Sequence, residues 1–121
     1  MIVVDSSVWV DHLRRHEAGL VHALEQGRVL AHPFVIGELA CGHLRNRPAL
    51  LGSLAQLPQA PVARHDEAMG FLERHGLAGR GIGWLDLHLL AATALAGGAR
   101  LWTRDKRLAT LAGELALDHV E

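Results

Sequence analysis

The sequence predicts one α/β domain spanning residues 1–121, with a parallel sheet covered on both faces by helices. Three observations carry this expectation. Short apolar runs alternate with segments of helical periodicity, the pattern of strands joined by helical crossovers. One of those helical segments, Trp84 to Ala96, is apolar almost all round, as a helix held in the middle of a core must be. Half of the 121 residues are apolar, ample for one continuous core in a chain too short for two domains.

Ile2 to Val4 is a short β-branched run that stops at Asp5, and it reads as a buried strand running into a turn. Val8, Trp9 and Leu13 then recur at helical spacing, with Ser6 or Ser7 as the cap. A second helix from Glu17 to Gln26 turns Leu20, Val21 and Leu24 to one side and ends at Gly27. Arg28 to Ala31 reads as the next strand. Pro33 to Gly42 has proline at its start and glycine at its end, the asymmetry expected of helix termini. A helix from about Pro48 to Leu57 precedes a proline-bounded strand around Val62. Asp66 to His75 forms an amphipathic helix with Met69, Phe71 and Leu72 inward. After the glycine-rich loop GLAGRGIG comes the apolar helix from Trp84, closed by Gly97 and Gly98. Arg100 to Thr103 is a strand, Asp105 to Leu111 a short helix, and Leu117 to Val120 a last strand.

The composition excludes several classes of function. A net charge of −1 and a pI near 6.7 give no overall positive field, so any contact with nucleic acid has to be local. The single cysteine, Cys41, rules out an internal disulfide and fits a reducing compartment, which makes the cytoplasm the expected location. An acid at position 5 is too early for a signal peptide, and no apolar run approaches the ~20 residues of a membrane helix.

Four carboxylates stand out against this apolar background. Asp5 ends the first strand, and Asp105 follows the strand Leu101-Trp102-Thr103. Asp86 opens the most hydrophobic helix, and Glu38 sits in FVIGELACG among Phe34, Val35 and Cys41, so it is expected to face away from bulk solvent. In a parallel sheet the carboxyl ends of the strands share one edge, where Asp5 and Asp105 would meet, Asp86 would come close and Glu38 would lean in. Carboxylates gathered in a poorly solvated pocket repel one another, and no lysine stands beside them except Lys106. A hard divalent cation is the natural counter-charge, and all-oxygen ligation favours Mg2+ or Mn2+. Such a site suits metal-assisted phosphodiester hydrolysis by an activated water, with Ser6 and Thr103 as accessory hydroxyls that orient a carboxylate. Taken singly, Asp5 and Asp105 fit a helix cap, and Asp86 fits a first-turn acid, equally well.

The stretches VVDSSVWVD, IGELACG, WLDLHLLAAT and LWTRDKRLATLA place these acids 33, 48 and 19 residues apart. In that order and spacing the chain resembles the PIN-domain family, in particular its VapC-type toxins, along its whole length. The resemblance implies a five-stranded parallel sheet and a magnesium-dependent endoribonuclease site in which manganese substitutes. It implies that Asp5, Glu38, Asp86 and Asp105 form the acidic quartet, with Asp5 and Asp86 the direct metal ligands, and that Thr103 fills an accessory polar position. It further implies a homodimer, a cognate VapB-type antitoxin that wraps helices near the site, and structured RNA such as tRNA as substrate.

Other features carry less. Arg104 and Lys106 flank Asp105 and are the expected RNA phosphate contacts, arginine being suited to bidentate grip. Cys41 is expected in the core, and His12 with His16 as an exposed pair, since no HExxH or cysteine partner accompanies the nine histidines. GRGIG lacks the dinucleotide-binding spacing and reads as a loop flanking the site. The rival readings are a receiver-type phosphoacceptor domain, which would need paired acids after the first strand, and a catalytically silent interaction module.

Overall fold

The computed structural model describes residues 1–121. In chain order the elements are β1 (Ile2–Val4), α1 (Ser6–Arg15), α2 (Ala18–Glu25), β2 (Val29–Leu30), α3 (Pro33–Ala40), α4 (Arg47–Gln56), α5 (His65–Arg74), α6 (Trp84–Leu95), β3 (Arg100–Trp102) and α7 (Lys106–Glu114). The strands lie in the order β2-β1-β3, with β1 in the middle and both pairings parallel. Ile2 aligns with Val29 and Arg100, and Val4 with Trp102. All three β1 residues are buried, which explains their continuous apolar run: a strand covered on both faces has no solvent side to alternate with.

The sheet has three strands and not the expected five. Each outer position is reduced to a single parallel bridge, Ala31 with Gln59 on one side and Leu101 with Asp118 on the other. Pro58 and Pro61 flank the first bridge and have no N–H to donate, so pairing stops after Ala31 N–H donates to Pro58 O and Ala60 N–H to Ala31 O. The expected strand at Val62 is irregular backbone, and Val62 is exposed. On the other side Ala116 turns the chain with φ 56°, and only the backbone of Leu117 and His119 reaches Leu101.

Helix α6 is the buried element its composition predicted. Leu87, Leu89 and Leu90 are among the largest fully enclosed side chains, packed in one core with β1, Leu101 and Leu108. In α5 the inward stripe is Ala68, Phe71 and Leu72, at helical spacing of three and four residues. Met69, expected inward, falls one residue off that stripe and is 39% exposed. Cys41 also departs from expectation: as the C-cap of α3 it lies at the end of its helix and is exposed. The loop after α5 is tied to α7, where the Arg107 side chain packs on Gly81. With φ 86° and Arg107 Cδ only 2.9 Å from where a Cβ would stand, this position excludes a larger residue.

His32 joins β2 to α3. Its Nδ1 accepts the Phe34 N–H at 3.0 Å, capping α3, so the ring proton sits on Nε2. That Nε2 and His88 Nδ1 are buried without a partner. Burial, and then the neighbouring His88, lower the His32 pKa to about 4. Because the folded value lies below the ordinary 6.5, the unfolded chain takes up the proton first. The stability of neutral His32 is therefore complete above about pH 6.5 and is lost as pH falls toward 4, a loss of about 3 kcal/mol. Urea denaturation between pH 7 and pH 4.5 should show the midpoint falling, and His32→Asn, which keeps a capping acceptor, should flatten that slope. An unchanged slope would assign the acid sensitivity to other groups.

Candidate active site

Asp5 leaves β1 in extended conformation and caps α1, its carboxylate accepting the Ser6 N–H at 2.8 Å. The other oxygen, Oδ2, accepts from Ser7 Oγ at 2.8 Å and from Thr103 Oγ1 at 2.7 Å. Those two hydroxyls are held in turn: Arg104 N–H donates to Ser7 Oγ, and Asp105 N–H to Thr103 Oγ1. The turn after β1 and the turn after β3 are thus sewn together around one carboxylate that is only 6% exposed. Ser6, expected as an accessory hydroxyl, contributes its backbone N–H, while its Oγ stands 3.5 Å from Asp5. The sequence offered Ser7 only as an alternative cap of α1; Asp5 is the cap, and the Ser7 hydroxyl donates to it. The signal was present, because a hydroxyl two residues after an Asp is within reach of its carboxylate in a tight turn.

Asp105 caps α7 by accepting the Leu108 N–H at 2.9 Å and is otherwise exposed. Asp86 is the third residue of α6 and is half-buried. Burial raises its carboxyl pKa most, and the charges of Asp5, Asp105 and Glu38 push it the same way, against the backbone of Gly83, which lowers it. Glu38, expected to be shielded, is exposed near the end of α3. Its apolar neighbours Val35 and Leu39 face the core, and the side chain between them points elsewhere.

The structure brings the four acids to the walls of one cleft of about 450 Å3, together with Ser6, Ser7, Val10, Asp11 and Arg104. They surround it without meeting at a point: nowhere do three Asp, Glu, His or Cys side chains stand close enough to chelate an ion among themselves. The acid-lined cleft fits a small hard cation, and the separation of its acids limits that cation to one or two direct carboxylates. Magnesium keeps several of its waters and takes one or two carboxylates directly, so an acid-lined cleft open to solvent suits it better than a closed cage. A cation there would offset both the burial of Asp86 and its repulsion from Asp5, Asp105 and Glu38.

Arg104 departs from its expected role. Its guanidinium donates to Asp11 at 2.7 Å, to Glu17 at 2.8 and 3.1 Å, and to Glu121 at 2.7 and 3.1 Å. Glu17, Asp11 and Glu121, in that order, raise its pKa, and Arg104 lowers those of Glu17 and Asp11. A guanidinium committed to three carboxylates is not free to grip phosphate. Lys106 is exposed and lines a small pocket with Arg80 and Arg107, beside Asp105; Arg80 there pairs with Glu114 at 2.6 Å.

A second groove, about 490 Å3, adjoins the cleft and shares Ser6, Val10 and Glu38 with it. Its walls add Leu13, Leu39, Leu44 and Leu50, with Arg14 and Arg45 beside them.

Comparison with known proteins agrees with the geometry. The family model for the PIN domain matches residues 2–114. Two proteins named Ribonuclease VapC32, from two strains of Mycobacterium tuberculosis, are each 50% identical to this chain over 114 residues. The match covers 94% of this chain and 92% of each of theirs.

The Asp5 network predicts a non-additive pair of substitutions. Ser7→Ala or Thr103→Val alone leaves Asp5 Oδ2 one side-chain donor, whereas the double variant leaves it none. Stranding a buried acceptor costs about 1–3 kcal/mol. Urea midpoints should therefore show the double variant losing more than the two singles together, and simple additivity would mean the two donors act independently.

Proposed function

From the premise that this chain belongs to the PIN-domain family and is one of its VapC-type members, we propose that it is a metal-dependent endoribonuclease. The observation that carries the proposal is the cleft on which carboxylates from four separate elements converge, Asp5, Glu38, Asp86 and Asp105. Asp5, Asp86 and Asp105 would hold Mg2+, or Mn2+ in its place, with Asp5 and Asp86 the direct ligands and Glu38 reaching it through water. A cation held there supplies the charge that polarises the scissile phosphate and acidifies the attacking water.

The protein's own groups have distinct tasks. Ser7, Thr103 and the Ser6 N–H all donate to Asp5 and fix its orientation. Ser7 Oγ both donates to Asp5 and accepts from Arg104 N–H, so it is a positioning group and not a nucleophile. Glu38 and Asp105, exposed at the rim, are placed to accept hydrogen bonds from water in the cleft. Lys106 is the cation beside Asp105 with no ion-pair partner of its own, and it takes over the phosphate contact for which Arg104 is unavailable.

The same reading extends to partners. The substrate is RNA, with tRNA among the structured RNAs it would cut, and the protein acts as the toxin of a VapBC-type pair. A VapB-type antitoxin segment lying in the apolar groove would also close the mouth of the cleft, because Ser6, Val10 and Glu38 border both. The protein works as a homodimer in the cytoplasm; no helix is long and apolar enough to cross a membrane.

Incubation with total RNA tests the reading. Cleavage should require added Mg2+ or Mn2+, stop in EDTA and return when manganese is resupplied; cutting that persists in chelator would end the metal-dependent proposal. Asp86→Asn is nearly isosteric and should keep the wild-type circular dichroism spectrum while cutting no faster than the chelated protein. Full activity in that variant would remove Asp86 from the site.

A further inference from the structure

The chain contains five Phe and Trp residues. Trp9 and Trp102 are in the core and Phe71 is half-buried, which leaves two exposed: Phe34 at 38% and Trp84 at 42%. These two stand on either side of the same residue. His88 contacts the Phe34 ring at a centroid distance of 4.9 Å and the Trp84 ring at 4.7 Å, and His65 continues the row at 5.3 Å from Trp84. Phe34 lies one helical turn before Glu38 on α3, and Trp84 lies two residues before Asp86 at the start of α6. Phe34, Trp84 and His88 are therefore on the same two helices as Glu38 and Asp86, beside the acidic cleft and outside its lining, and His65 adds to the row from α5.

Electrostatics adds a second reason. The cleft repels a polyanion, the net charge of the chain is −1, and Arg104 is committed to Asp11, Glu17 and Glu121. Beside the phosphate contact assigned to Lys106, contacts indifferent to phosphate charge would add affinity that these charges do not give. Exposed aromatic faces supply such contacts by stacking on unpaired bases, whatever the base.

We propose that Trp84 and Phe34 form a stacking site for unpaired RNA bases next to the phosphate presented to the cleft. It rests on the ribonuclease reading, and the tests separate the two. Because Trp9 and Trp102 are buried, Trp84 is the tryptophan whose emission a ligand at the surface can reach. Titrating single-stranded oligoadenylate into the Asp86→Asn variant should quench that emission. In the active protein Trp84→Ala should raise KM by about 5- to 150-fold, the range for loss of one stacked base, and move kcat far less. Trp84→Phe should recover most of the loss. An RNA made abasic beside the cut should pay the same penalty with the wild type and no further penalty with Trp84→Ala.

RNA cleavage with unmoved KM and unmoved emission would overturn the stacking site and leave the ribonuclease standing. Quenching by oligoadenylate alongside a wild-type protein that cuts no RNA in Mg2+ or Mn2+ would do the reverse. A KM change that follows loss of self-association in sedimentation would also overturn the stacking site, and would assign the row to contact between copies of the chain.

Discussion

The structure depends on β1 being central with a parallel partner on each side. This arrangement sends the ends of β1 and β3 to one edge of the sheet, so that Asp5 and Thr103, nearly a hundred residues apart, share a 2.7 Å hydrogen bond. A buried carboxylate is costly unless its charge is met by donors, and Asp5 meets the backbone of one turn and the hydroxyls of two. The capped starts of α1 and α7 follow from the same geometry, since each helix begins where its strand stops. The acidic cleft is thus a by-product of topology that the hydroxyls make tolerable.

Much of this was legible in the sequence because burial leaves a compositional trace. The β-branched run before Asp5, the apolar helix after Trp84 and the proline opening α3 all formed the elements they predicted. What could not be read depends on neighbours distant in the chain. The apolar residues around Glu38 belong to the core face of α3, and nothing local says that the Glu between them faces outward. The proline-bounded strand expected around Val62 did not form, because pairing with Ala31 stops at the single bridge to Gln59, and nothing local says where Ala31 will lie. Ser7 and Arg104 show the same limit more sharply: the partners that define them lie 96 or 97 and 17 to 93 residues away.

Arg104 shows how the charge is divided. It is the residue after Thr103, at the margin of the acidic cleft, yet its guanidinium serves Asp11, Glu17 and Glu121. This neutralises acids that would otherwise add to the negative potential around Asp5 and Asp86. It also ties the α1–α2 hairpin to the last residue of the chain. The four cleft acids themselves receive no such cation from the protein, so their charge is met by hydrogen bonds and by solvent alone.

The long separation between Asp5 and its donor has a consequence for biosynthesis. A ribosome adding roughly 5–20 residues per second exposes the first strand seconds before residues 100–103 leave the exit tunnel. Until they do, the opening strand lacks one of its two neighbours, and its terminal acid lacks a hydroxyl from across the sheet. A nascent chain whose residues 100–103 have not emerged therefore lacks the β1–β3 pairing and the cross-sheet hydroxyl that hold Asp5 at the wall of the acidic cleft.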